Sequence, residues 1–120
     1  NANFGYVVQV FGSTLTSGNN VLPAPAVPTA SIPGTRQFGM NLRANTSPAI
    51  GEEYTGIYGV IAPDYNIPNR FMFRNGDTLA FSPFISLFEV YTVTYIANIQ
   101  EFQPAGVYNT LLSYVCTATF

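Results

Sequence analysis

Two long runs of alternating side chains, joined by a turn, limit what this chain can fold into. Between Leu87 and Phe120 the sequence reads LFEVYTVTYIANIQEFQPAGVYNTLLSYVCTATF. In the first run Tyr91, Val93, Tyr95, Ala97 and Ile99 share a face, and Thr92, Thr94 and Asn98 take the other. In the second, Thr110, Leu112, Tyr114, Cys116, Ala118 and Phe120 oppose Ser113, Thr117 and Thr119. A period of two is the signature of a strand, and the β-branched and aromatic residues of both runs fit a pleated, half-buried surface. Gln103-Pro104-Ala105-Gly106 suits a type I turn, so a β-hairpin is expected here.

The same period recurs upstream. NFGYVVQVF, from Asn3 to Phe11, sets Phe4, Tyr6, Val8 and Val10 on one face and Val7 and Phe11 on the other. A strand apolar on both sides is expected at the centre of a sandwich or pressed between two bodies. Ser13 to Leu22 reads as a short strand with a Gly-Asn-Asn turn. The Pro-rich stretch at 23–34 favours an extended path, either a crossover over one sheet edge or a linker carrying the N-terminal strand to a neighbouring subunit. In RQFGMNLRA, from Arg36 to Ala44, Phe38, Met40 and Leu42 point inward from a core strand. Residues 49–69 are loop with one short strand near Gly56 to Ile61. Asn75-Gly76-Asp77, between Arg70–Arg74 and Thr78–Ser82, predicts a hairpin closed by a type I′ turn. These runs number seven to nine and show no helical period. A length of 120 residues suits one domain with a real core. The expected fold is all-β, a single antiparallel β-sandwich of jelly-roll or immunoglobulin-like type spanning 1–120.

Composition then restricts function. Only 8% of residues are charged, against about 25% in ordinary soluble domains. Charged side chains keep β-proteins apart, so copies of the chain, covalent glycans or both are expected to cover this surface. The only basic residues are Arg36, Arg43, Arg70 and Arg74, and the net charge is −2. This argues against nucleic acid, whose binding rests on neutralising phosphates, and against an anionic membrane surface. No apolar run approaches the ~18–20 residues of a membrane span, so no membrane insertion is expected. The chain begins at Asn1 without Met, and removal of an upstream segment is the expected reason.

Candidate chemistry is sparse. Without His or Lys the usual general bases, Schiff-base formers and imidazole ligands are absent. Cys116 has no His to activate it and reads as a buried small hydrophobe, with a bond to another subunit as the alternative. Glu52, Glu53, Asp64, Asp77, Glu89 and Glu101 leave only a carboxylate glycosidase to consider, and nothing in the sequence pairs two of them. Asn75-Gly76-Asp77 and Gly51-Glu52-Glu53 lack the spaced acids of a calcium loop. No catalytic residue, metal or cofactor is expected. The one Asn-x-Ser/Thr pattern, Asn45-Thr46-Ser47, makes Asn45 a glycosylation candidate.

Several phrases occur together: FGY at Phe4 to Tyr6, GSTLTSG at Gly12 to Gly18, QFGMNLRANTSP at Gln37 to Pro48, YNIPNRFMF at Tyr65 to Phe73, YTVTYIANI at Tyr91 to Ile99, and PAGVY with the closing LSYVCTATF. In combination they resemble secreted surface proteins of environmental bacteria of the candidate phyla radiation, Saccharibacteria among them. The resemblance implies a β-rich exported domain, extracellular or on the cell surface, with no catalytic motif to carry over. By analogy of fold and composition, it suggests a pilus-like filament subunit, a helical homopolymer held by β-strand complementation. Residues 1–11 are then the expected donor strand, with Phe4, Tyr6, Val8 and Val10 entering slots of the next copy. The alternative is a carbohydrate-binding or adhesive surface domain, for which Tyr54, Tyr58 and Tyr65 would form an exposed aromatic cluster.

Overall fold

A computed structural model describes residues 3–120. Eight strands are formed among the described residues, in the order β1 (Tyr6–Gly12), β2 (Thr16–Ser17), β3 (Asn20–Val21), β4 (Gln37–Asn41), β5 (Val60–Ile61), β6 (Thr78–Ser82), β7 (Thr94–Asn98) and β8 (Leu112–Ala118). Among the described residues the only helical element is a single 3-10 turn at Pro63–Tyr65. Three antiparallel sheets result: a four-stranded one ordered β5-β6-β1-β8, the β2-β3 hairpin, and the β4-β7 pair. The fold is almost entirely β, as the alternation predicted.

β1 is the spine of the large sheet. Its pairing with β6 aligns Tyr6 with Ser82 and Val8 with Ala80, and its pairing with β8 aligns Tyr6 with Ala118, Val8 with Cys116 and Val10 with Tyr114. One bulge between Val8 and Gln9 shifts the β6 register. Gly5 makes the entry into β1 possible: its φ is +96°, and a Cβ there would overlap the Ser82 carbonyl oxygen. Val10, Ile61, Leu79 and Ala80 of this sheet meet Phe38, Met40 and Leu42 from the β4 region in one core, completed by Leu22, Tyr65, Met72 and Phe73.

β4 is buried along its whole length. β7 pairs along one side of it. On the other side Met40 and Met72 exchange backbone hydrogen bonds, and the Phe38 N–H donates to the Pro23 carbonyl at 3.0 Å. The Phe73 N–H likewise donates to the Pro25 carbonyl at 3.1 Å. Proline lacks a donor and keeps its acceptor, so the 23–34 stretch serves as a cover for strands whose N–H groups need partners. It lies against its own domain.

Two expected hairpins are not formed. β7 pairs with β4 and β8 pairs with β1, so the two runs of the C-terminal third belong to different sheets. The chain turns at Gln100–Gln103, where the Gln103 N–H reaches the Gln100 carbonyl at 3.1 Å, ahead of the expected Pro104 turn. In the first run the alternation holds, and the inside falls to the face of Thr94 and Ile96, which are buried, while Tyr95 and Ile99 are exposed. At Asn75-Gly76 only the glycine has positive φ, +84°, whereas a type I′ turn needs both residues there. The turn carries the chain from Phe71–Phe73, beside β4, to β6 in the other sheet.

Candidate functional site

The feature that stands out is the outer edge of β8. It pairs with β1 on one side only, and from Ser113 to Ala118 every residue is exposed. LSYVCTA contains no charge and no proline, the two devices that ordinarily blunt a sheet edge. Its free polar groups follow from the alternation of an antiparallel ladder. The Val10 N–H and C=O are used on the β6 side, by Asp77 and Gly76 at 3.0 and 2.7 Å. Val7, Gln9 and Phe11 therefore face β8. At the far end the Thr119 N–H donates to Gly5 at 2.9 Å, in the same phase. The backbone groups of Leu112, Tyr114, Cys116 and Ala118 are thus the ones that point away from the sheet.

Beside this edge lies an apolar groove. The core face of β1 and β8 runs out past Val10, and there Tyr6, Val8, Cys116 and Ala118 form a floor walled by Ser86 to Tyr91. Its volume is about 490 Å3. A tyrosine cluster props the wall: the Tyr6 and Tyr91 hydroxyls are 2.6 Å apart, and Tyr91 stacks on Tyr54 with ring centroids 4.8 Å apart. The Tyr54 hydroxyl donates to Glu89 at 2.7 Å and accepts from the Gly59 N–H at 2.8 Å. The Tyr58 N–H donates to the other Glu89 oxygen at 3.1 Å. Burial, then the hydrogen bond to Tyr6, pushes the Tyr91 hydroxyl well above the usual phenol range; burial, then Glu89, raises Tyr54. These groups bond to one another, which gives the wall rigidity and leaves the apolar floor to receive a ligand.

The residues singled out from the sequence are dispersed. Val10 is fully buried in its own core, Tyr6 and Val8 are half-buried in the groove, and Phe4 is exposed. β1 is paired on both sides within its own chain, while Asn1 and Ala2 lie outside the described residues. Cys116, expected in the core, is exposed, on the floor of the groove beside the strand's unpaired edge.

Asn45 is buried, and its amide nitrogen faces the Arg43 and Ile50 carbonyls and Asn41 Oδ1 at 2.8, 3.0 and 3.1 Å. That nitrogen is committed to the fold and presents no surface for a glycan bond. Of the expected aromatic platform, Tyr65 is in the core with its hydroxyl on Asp77 at 2.7 Å, and Tyr54 is stacked on Tyr91, so the three rings do not share an exposed surface. Among the acids, Asp64 and Asp77 both bind Arg74 at 2.9 Å and Glu53 binds Arg43 at 2.7 Å. The edge and groove were missed because the sequence shows a strand but not which of its sides lacks a neighbour.

Among the described residues no helix is long and apolar enough to cross a membrane. The chain matches no protein-family model, no curated protein and no solved structure with which it was compared.

Proposed function

We propose that this chain is the repeating structural subunit of an extracellular bacterial filament, a β-sandwich of jelly-roll or immunoglobulin-like type completed between protomers by strand addition. The observation that carries this reading is the bare β8 edge: seven uncharged residues with one side of the ladder unpaired. Main-chain hydrogen bonds to an added strand supply strength, and alternate side chains supply register. The donor role expected of residues 1–11 is moved to this edge for a physical reason. β1 already has partners on both sides, and taking it out would strip Val10 from the core. Glycan cover is not part of the reading, since the nitrogen of the one acceptor pattern is spent. A carbohydrate-binding domain is the weaker reading, because Tyr65 is in the core with its hydroxyl on Asp77 and the Tyr54 hydroxyl is on Glu89, which leaves Tyr58 alone of the expected platform.

The test is electron microscopy of the purified protein beside Cys116→Pro. Proline at 116 deletes an outward N–H and leaves the ladder to β1 intact, a placement that edge strands tolerate. The wild type is expected to form fibres, and the variant to keep its circular dichroism spectrum without forming them. Fibres of normal length from the variant would overturn edge addition. A wild type that stays monodisperse at high concentration would overturn the filament.

A further inference from the structure

The two ends of the β1-β8 pair both carry large bare apolar side chains, and they differ in shape. At the end where Tyr6 faces Ala118 there is the groove, with Phe84, Phe88 and Phe120 around it exposing 71–89% of their surfaces. The backbone brings the segments that carry them side by side. The Phe4 N–H donates to the Thr119 carbonyl at 3.1 Å, a Cβ on Gly5 would sit 3.2 Å from the Phe84 nitrogen, and Phe88 shares the groove with Ala118.

At the other end, where Gly12 faces Leu112, residues 99–111 form a projecting loop whose Phe102, Val107 and Leu111 are 79–84% exposed. The loop is fastened in place. Thr16 and Asn109 exchange backbone hydrogen bonds of 3.0 Å, the Gln103 amide donates to the Tyr108 hydroxyl at 2.6 Å, and that hydroxyl donates to the Pro104 carbonyl at 2.9 Å. Along the strands the two ends stand about 20 Å apart.

We infer that this protein assembles head to tail, the 102–111 loop of one copy seating Phe102, Val107 and Leu111 in the groove that Phe88 and Cys116 line on the next. The inference rests on the filament reading above and names its axial contact. It is separate from edge addition, which extends the sheet sideways. Aromatic side chains each bury about 150–250 Å2. At 71–89% exposure the three rings therefore offer roughly 500 Å2 of apolar surface, at the upper end of the patches monomers carry and a little over half of the ~800 Å2 per partner of a stable contact. A second copy is the occupant that satisfies both ends. A symmetric contact hides one patch and leaves the other in water, whereas loop into groove uses both and leaves the same two free at the tips, so the chain of subunits stays open. The groove's one carboxylate, Glu89, accepts from the Tyr54 hydroxyl and the Tyr58 N–H, so closing the contact leaves it with hydrogen-bond partners.

Mixing complementary variants tests this. Phe88→Asp spoils the groove and spares the loop; Phe102→Asp does the reverse, and both positions are exposed enough to spare the fold. Each variant alone, carried on the Val115→Lys background so that edge addition is opposed, is expected to sediment as a 13.0 kDa monomer. The 1:1 mixture is expected to double in mass and stop, since each heterodimer has one good joint and two spoiled tips. If either variant polymerises like the wild type, or if the mixture stays monomeric while the wild type forms fibres, the head-to-tail contact is wrong and the filament stands. A monomeric wild type removes both. Oxidised Val107→Cys should also give a disulfide from 107 to native Cys116 between copies, located by peptide mass spectrometry. A bond from 116 to 116 alone overturns the proposal in favour of β8 pairing with β8.

Discussion

β4 and β8 are made of similar material and meet opposite fates. QFGMN and LSYVCTA are both uncharged, and each pairs with a single named strand. β4 is buried throughout because its second side is covered by Met72 and the carbonyl of Pro23, and its faces by the core and the asparagine cluster. β8 has nothing on its second side and is exposed from Ser113 onward. The contrast locates function. Where a strand's neighbours come from its own chain, the residues maintain the fold; where one is absent, the same chemistry becomes an invitation to another chain.

The largest effect should come from breaking the covered strand. Phe38→Ala removes a ring packed edge-on to Phe73 and stacked on Tyr95. A loss of about 3–5 kcal/mol is expected in urea unfolding; a change below ~1 kcal/mol would mean that β4 is not the core strand. Next is Asn41→Ala. The Asn41 amide donates to Asn45 Oδ1 at 2.7 Å and to the Arg70 carbonyl at 3.0 Å; truncation removes both bonds, and Asn45 Oδ1 keeps only the Asn69 N–H. About 2 kcal/mol is expected, with Asn45 amide exchange speeding up by NMR.

Alkali sharpens the same contrast. Burial, then Asp77, holds the Tyr65 hydroxyl well above its ordinary pKa of 10.0. Above pH ~10 the unfolded chain loses that proton while the folded chain keeps it, so stability falls as pH rises, by up to about 1.4 kcal/mol per pH unit. Tyr65→Phe should make that slope shallower, the raised Tyr91 and Tyr54 hydroxyls keeping the rest, and an unchanged profile would assign it wholly to them. The smallest effect on folding belongs to the bare strand: Val115→Lys should stay within ~0.5 kcal/mol of wild type in denaturant. The same substitution should lower the amount of pelleted fibre severalfold, because a charge on an edge opposes addition.

Periodicity made β1, β4, β6 and β8 legible, and the Gly18-Asn19 turn between β2 and β3 as well. It missed which strands pair. Alternation reports that a segment is a strand, but partner choice depends on loops that can reach across layers. The 99–111 loop and the turn at Gly76 both do so, and both imitated hairpin turns. Alternation set Tyr95 and Ile99 opposite Thr94 without saying which face is inside, and the structure gives Thr94 and Ile96 the inside. Asn45 was legible as a short pattern, while its burial arises from Asn41 and Asn69, the latter 24 residues away, which no local motif encodes.

The clasp formed by Asn41, Asn45 and Asn69 has a further consequence. Asn69 turns back at φ 61°, and its side-chain oxygen accepts from the N–H groups of Thr46 and Ser47 at 2.8 and 2.9 Å. All three side chains are amides, with no proton to gain in acid or shed in alkali and no charge for salt to mask. This fastening therefore keeps its grip through brine and changing acidity, where the surface ion pairs of Arg43 and Arg74 would slacken.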